Sequence, residues 1–188
     1  MLSLNPETTA LVLIDLQNGI INLPLEPYDG QKALSVGKNL AEKFREAGAP
    51  VFLVRVTFSD GFPDVPSQNV DQPADYPEGG FSPEWDQFAD GLKQASDFVI
   101  TKRQWGAFYS TELDLQLRRR GITTIVLSGI ATNFGVESTA RQAWEHGYDL
   151  VIAEDGCTSF SRPLHDMAVQ QIFPRLSRVV QSEKIVLK

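Results

Sequence analysis

The sequence predicts a three-layer α/β/α sandwich on a mostly parallel, roughly six-stranded, doubly wound sheet. Three observations carry this. Short continuous apolar runs recur along the chain, each of a length suited to a strand buried on both faces. Segments with helical spacing alternate with them. Most changes from one to the other fall at glycine, proline or an acidic residue.

In chain order, Ala10-Leu11-Val12-Leu13-Ile14 is the first strand, closed by Asp15. Residues 30 to 48 carry Leu34, Leu40 and Phe44 at helical spacing and stop at Gly48-Ala49-Pro50, a helix end and turn. Val51 to Val56 is the second strand, and Asp97 to Ile100, leading into Thr101-Lys102, is the third. A helix over 110–120 opens on Ser110, a good N-cap, and ends at Gly121. Thr124 to Ser128 is the next strand, followed by a helix over 135–146 that ends at Gly147. Tyr148 to Ala153 is a strand that runs into Glu154-Asp155-Gly156. The tail offers a helix over 162–174, a short strand at 178–181 and a terminal turn or helix. Alternation of this kind implies right-handed crossovers, a sheet covered on both faces and a Rossmann-like arrangement. Residues 57–96 break the pattern, with many prolines and glycines, Trp85 and Phe88 but little periodicity. We expect one domain over 1–188, with this stretch as a long loop insertion that serves as a lid or partner contact.

Composition narrows the function. Of 188 residues, 42% are hydrophobic and 22% charged, enough for a packed core. With 17 Lys and Arg against 24 Asp and Glu, the net charge is −7, which opposes binding to nucleic acid or an anionic membrane. The one basic run, Arg118-Arg119-Arg120, sits at a predicted helix end, where cations favour the dipole. No run of 18 apolar residues predicts a membrane span, and the start lacks a basic region and a cleavage site. The expected location is therefore cytoplasmic. The single cysteine, Cys157, excludes an internal disulfide, and two separated histidines, His146 and His165, argue against a histidine metal site or a Ser-His-Asp triad.

In doubly wound sheets, ligands bind beyond the carboxyl ends of the strands, where the winding reverses. The residues just after each strand therefore matter most: Asp15, Thr57, Lys102, Gly129 to Gly135, and Asp155. A carboxylate at a strand end lies in a partly dry crevice, where burial raises its pKa and a nearby cation lowers it. Asp15 and Lys102 can meet above the sheet and tune each other; equally, Asp15 can cap a loop and Lys102 can serve as its structural counter-ion. Between Ser128 and Arg141 a strand feeds through a tight turn into a helix whose first amides have no intrahelical partner. Such a turn suits a carboxylate or an oxyanion, or else Gly129 and Gly135 only permit close packing and Asn133 caps the helix.

Three segments together resemble the isochorismatase-like, or cysteine hydrolase, family: Ala10-Leu-Val-Leu-Ile-Asp-Leu-Gln17, Lys102 with its aromatic follow-on, and Gly129-Ile-Ala-Thr-Asn133 with Thr139-Ala-Arg141. The likeness spans essentially the whole chain and is greatest with short bacterial members. It implies an Asp-Lys-Cys triad, of which Asp15 and Lys102 carry over while the cysteine position falls on Gly135. It also implies that the Ala131 and Gly135 amides form an anion or oxyanion site, with a non-proline cis peptide near Ile130-Ala131. The expected substrate-binding residues are Gln17, Trp105, Phe108, Thr132, Asn133 and Phe134; Trp105 and Phe108 suit an aromatic wall for a small planar or cyclic ligand or, equally, plain core packing. Cys157 follows a different strand and reads as a small buried residue.

Isochorismatases proper hydrolyse an enol ether, which needs a proton for the vinyl carbon and then water, and a carboxylic acid with a raised pKa suffices for the first step. The nicotinamidases of the superfamily bind metal through an Asp and several His after the second strand. Val56 to Asp60 contains no histidine, so neither a metal nor another cofactor is expected. The resemblance thus implies a hydrolase of small molecules acting through Asp15 and Lys102 without the cysteine, assembled as a homodimer or homotetramer. The alternative is a relative that kept the pocket, lost catalysis and binds a metabolite or partner protein.

Overall fold

The first predicted strand extends over Thr9–Ile14 and is buried at every position, as a central strand covered on both faces must be. In a computed structural model describing residues 1–188, the elements run β1 (Leu2–Leu4), β2 (Thr9–Ile14), α1 (Asn18–Ile21), α2 (Gly30–Glu46), β3 (Val51–Val56), β4 (Phe98–Lys102), α3 (Leu113–Arg119), β5 (Thr124–Ile130), α4 (Glu137–Glu145), β6 (Asp149–Thr158), α5 (Arg162–Met167), β7 (Arg178–Val180) and β8 (Ile185–Leu187). The main sheet has six strands in the order β4-β3-β2-β5-β6-β7, and every adjacent pair is parallel.

Alternation along β2 builds both halves of the core. Leu11 and Leu13 pack with Leu34, Leu40 and Phe44 of α2 on one face. Ala10, Val12 and Ile14 pack on the other with Leu113 and Leu117 of α3 and Ala140 and Ala143 of α4. Each fully buried leucine or phenylalanine contributes about 1.5–3 kcal/mol, so these two layers hold the sheet rigid beneath whatever stands on its end. From β2 the chain winds through β3 and β4 to one edge, then returns to place β5 on the other side of β2. The reversal lies between β2 and β5, and that is where a crevice opens.

Several boundaries differ from the sequence reading. The helix predicted to start at Ser110 starts at Leu113, because Ser110 is left-handed (φ +54°) and the Thr111 hydroxyl accepts from the Leu113 N–H at 3.2 Å. The helix predicted over 135–146 is a wide π turn, Thr132–Val136, that runs into α4. The helix predicted over 162–174 is α5 followed by a π turn and a short 3-10 turn. Strand β6 continues past its acidic residues by a bulge, Ile152 through Cys157 spanning the same stretch as Leu127 through Gly129. Strands β1 and β8 pair with each other in parallel and were not foreseen; three residues are too few to show a period. Between Thr57 and Asp97 there is neither helix nor strand. No helix is long and apolar enough to cross a membrane.

Candidate active site

Asp15 leaves β2 in the left-handed region (φ +52°), which aspartate tolerates better than most side chains. Its N–H donates to the Val54 carbonyl at 2.9 Å, and its side chain stands over the sheet end, almost wholly buried. Lys102 ends β4, two strands away, and its buried Nζ donates to Asp15 Oδ2 at 2.8 Å and to the Gln104 carbonyl at 3.0 Å. Asp15 Oδ1 is buried with no hydrogen-bond partner in the protein. An unmatched polar atom of this kind costs about 1–3 kcal/mol, which a ligand at that oxygen would relieve. Burial raises the Asp15 carboxyl above the ordinary value of 3.8, against the opposing charge and hydrogen bond of Lys102. Burial weighs towards the neutral acid and Lys102 towards the carboxylate, with burial the larger of the two.

The turn after β5 forms the facing side. Gly129 has φ +130°, and a Cβ there would come within 2.2 Å of the Ile14 carbonyl oxygen. Only glycine lets β5 lie so close to the end of β2. The Ile130-Ala131 peptide is cis. The Ala131 N–H, between strand and π turn, has no acceptor among backbone or side-chain groups. Gly135 lies in the π turn, and a Cβ on it would sit 3.4 Å from Asp15 Oδ2 and 3.5 Å from the Ile130 carbonyl oxygen. A side chain at 135 would therefore point at the Asp15 carboxylate.

Above this floor is a cavity of about 380 Å³ lined by Asp15, Lys102, Ala131 and Gly135. Trp105 and Phe134, in edge-to-face contact with ring centres 4.8 Å apart, wall one side. The long loop walls the other with Phe58, Tyr76, Phe81 and Trp85, and Phe81 stacks on Trp85 at 3.9 Å. Two polar clamps fix the loop. Gln17 accepts from the Val56 N–H at 2.9 Å and donates to the carbonyls of Val56 and Trp85. Asp64 accepts from Ser59 and from Arg103, whose Nη1 also donates to the Thr57 carbonyl. Although desolvation works against it, the hydrogen bonds from Ser59 and Arg103 hold the Asp64 carboxyl below its ordinary value. No group of three or more His, Cys, Asp or Glu side chains is gathered for a metal.

The Isochorismatase domain family matches residues 9–184. The chain belongs to the isochorismatase family. It is 50% identical over 187 residues to the isochorismatase family protein YecD of Escherichia coli O157:H7, covering 99% of this chain and 98% of that one. The structure of an isochorismatase family protein from Burkholderia thailandensis superposes with a TM-score of 0.92 at 44% identity, covering 97% of this chain and 95% of that one. Ureidoacrylate amidohydrolase of Acinetobacter baylyi is 32% identical over 179 residues, 83% of this chain and 73% of that protein.

Within this isochorismatase-family site, the structure brings Asp15, Lys102, Ala131, Gly135, Trp105 and Phe134 to one cavity. Four residues expected to bind substrate lie elsewhere. Gln17 is consumed as the loop clamp and is fully buried. Phe108 is buried in the core, stacked on His146 and packed against Tyr148. Thr132 turns to His165 Nδ1 at 2.8 Å, and Asn133 accepts from the Ser159 hydroxyl. Both side chains brace the π turn from behind. The loop aromatics and Phe160 were missed, although Trp85 and the aromatic content of 57–96 pointed to that stretch. Cys157 is off the cavity wall and fully buried, with Sγ 3.4 Å from the Ala153 carbonyl oxygen, and burial pushes its thiol up to about 12. His165, buried, lies between Thr132 and Glu154, its Nε2 3.2 Å from Glu154 Oε1. Glu154 also accepts from Tyr28 at 3.2 Å and Gln181 at 2.5 Å. The His165 hydrogen bond, with those of Gln181 and Tyr28, holds its carboxyl below the ordinary value against desolvation.

Proposed function

We propose that the protein hydrolyses a small metabolite through Asp15 and Lys102, with water in place of the family's cysteine as the nucleophile. One observation carries this reading: the side-chain direction of residue 135 meets Asp15 Oδ2 at 3.4 Å, and the residue there is glycine. The acid and its cation are in place, and the thioester route has no sulfur.

An enol ether would react in three steps. Asp15, protonated in its buried setting, gives its proton to the vinyl carbon, and the adjacent carbon becomes an oxocarbenium ion. Water adds to that carbon and returns a proton to the Asp15 carboxylate, and the hemiketal then breaks to an alcohol and a ketone. Lys102 orients the carboxyl group and stabilises it while it is ionised, and the Ala131 N–H offers a hydrogen bond to a substrate oxygen. A positioned acid of this kind contributes about 10²–10⁴-fold. The likeness to an amidohydrolase keeps amides among the candidate substrates, attacked by water directly.

The test is turnover of a panel of enol ethers, amides and carbamates by the wild type and Asp15→Asn. We expect at least one substrate to be hydrolysed and that activity to fall by about 10²–10⁴-fold in the variant. Equal weak activity in both would favour the second reading, a binding protein without catalysis, for which Gly135 also speaks.

A further inference from the structure

Four ionisable residues line the cavity, and their pairing is uneven. Lys102 is hydrogen-bonded to Asp15 at 2.8 Å and, with its side chain 2% exposed, is closed to an entering anion. Arg103 is held by Asp64 at 2.8 Å and by the Thr57 carbonyl. Asp75, exposed at the mouth on the long loop, has no ion-pair partner. Beside it the walls are aromatic: Phe58, Tyr76, Phe81 and Trp85 on the loop, with Trp105 and Phe134 opposite.

From this distribution we infer that the cavity selects a cation: a small molecule with a flat apolar body whose positive charge lies at the mouth, near Asp75 and the aromatic rings. The inference rests on the proposed reading of this cavity as the substrate site and names the class of substrate it takes. The physics is one of counter-ions. A carboxylate entering the cavity leaves water and meets a lysine it cannot reach, an arginine whose Nε and Nη1 are already bonded, aromatic rings and the Asp75 charge. An amidinium, guanidinium or quaternary ammonium can stack on these rings and supplies the partner that Asp75 lacks. The net charge of −7 adds to the attraction by enriching cations near the surface. The polar floor of Asp15, Lys102 and the Ala131 N–H remains for the uncharged reacting end.

The test uses three probes with one planar body, benzamidinium, benzamide and benzoate, titrated calorimetrically into the wild-type protein. Benzamidinium should bind about tenfold more tightly than benzoate, with benzamide between them. Asp75→Asn should weaken benzamidinium severalfold and leave benzamide unchanged, and Asp75→Lys should move the preference towards benzoate. Benzoate binding as tightly as benzamidinium, or no binding of benzamidinium at millimolar concentration, would overturn the inference. So would an order of affinities indifferent to residue 75. Because binding is read without turnover, the hydrolase reading can fail on the Asp15→Asn panel while the charge order stands, and the reverse outcome is equally visible.

Discussion

Asp15 and Glu154 are both carboxylates near the carboxyl end of the same sheet, and their surroundings drive them in opposite directions. Glu154 accepts hydrogen bonds from Tyr28 and Gln181 and meets His165, and its carboxyl lies below the ordinary value. Asp15 has Lys102 on one oxygen and nothing on the other, and its carboxyl lies above the ordinary value. A carboxylate whose oxygens are satisfied by its own chain serves as a brace. One left incomplete in a dry cavity is free to hold and transfer a proton. On this contrast Glu154 and His165 brace the π turn from behind, and Asp15 is the residue we propose to act in front of it.

The largest effect should separate the two carboxylates in catalysis. Asp15→Asn should lower kcat/KM by about 10²–10⁴-fold, while Glu154→Gln changes it only severalfold, as steady-state kinetics on the same substrate would register. Parallel losses in both variants would erase the distinction.

A second test compares two thiols. Cys157 at about 12 rather than 9 should carry roughly a thousandth of the usual thiolate at pH 8. Iodoacetamide should therefore modify it at a measurable rate only after unfolding. In Gly135→Cys, the new thiol lies in the π turn beside the Asp15–Lys102 pair and should alkylate faster than free cysteine at pH 7. The fit is close, since a Cβ there lies 3.1 Å from Ile14 Cγ2, so mass spectrometry should assign the modified site. An introduced thiol no faster than free cysteine would mean that the activating environment is absent.

Stability gives a smaller contrast. Glu154→Ala leaves His165, Tyr28 and Gln181 unmatched and should cost about 2–3 kcal/mol, roughly 5–10 °C in Tm for a chain of this size. The pH signs are opposite for the two groups. The lowered Glu154 carboxyl adds stability that is complete above its unfolded value of 4.5 and is lost as pH falls through its folded value. The raised Asp15 carboxyl adds stability that is complete below 3.8 and is lost as pH rises through its folded value. Melting curves across pH should show a shallower acid limb in Glu154→Gln than in the wild type.

Much of this site was legible because strand ends are legible. The apolar run ending at Asp15 and the strand leading into Lys102 placed both groups on one edge of a parallel sheet before any coordinates. The expectation that residue 135 faces Asp15 came from the family likeness of the turn, and a Cβ there would lie 3.4 Å from Asp15 Oδ2. What the sequence hid was orientation. Gln17 lies two residues from Asp15 and Thr132 one residue from Ala131, yet each spends its side chain on the protein's own backbone or on His165. Glu154, midway along β6, and His165, in the last turn of α5, meet with no local period to announce them. Phe108 follows Lys102 closely, but the chain turns it into the core beside Tyr148. The aromatic wall was hidden because a loop without periodicity says nothing about which face its rings present.

The most direct test is a carbon-detected NMR titration that follows the side-chain carboxyls of Asp15 and Glu154 in one sample, with Asp15→Asn and Glu154→Gln fixing the assignments. The account predicts an Asp15 midpoint above the ordinary aspartate value of 3.8 and a Glu154 midpoint below the ordinary glutamate value of 4.5. Asp15 titrating at or below 3.8 would mean that Lys102 keeps it ionised, and the proton-donating acid at the centre of this account would not exist.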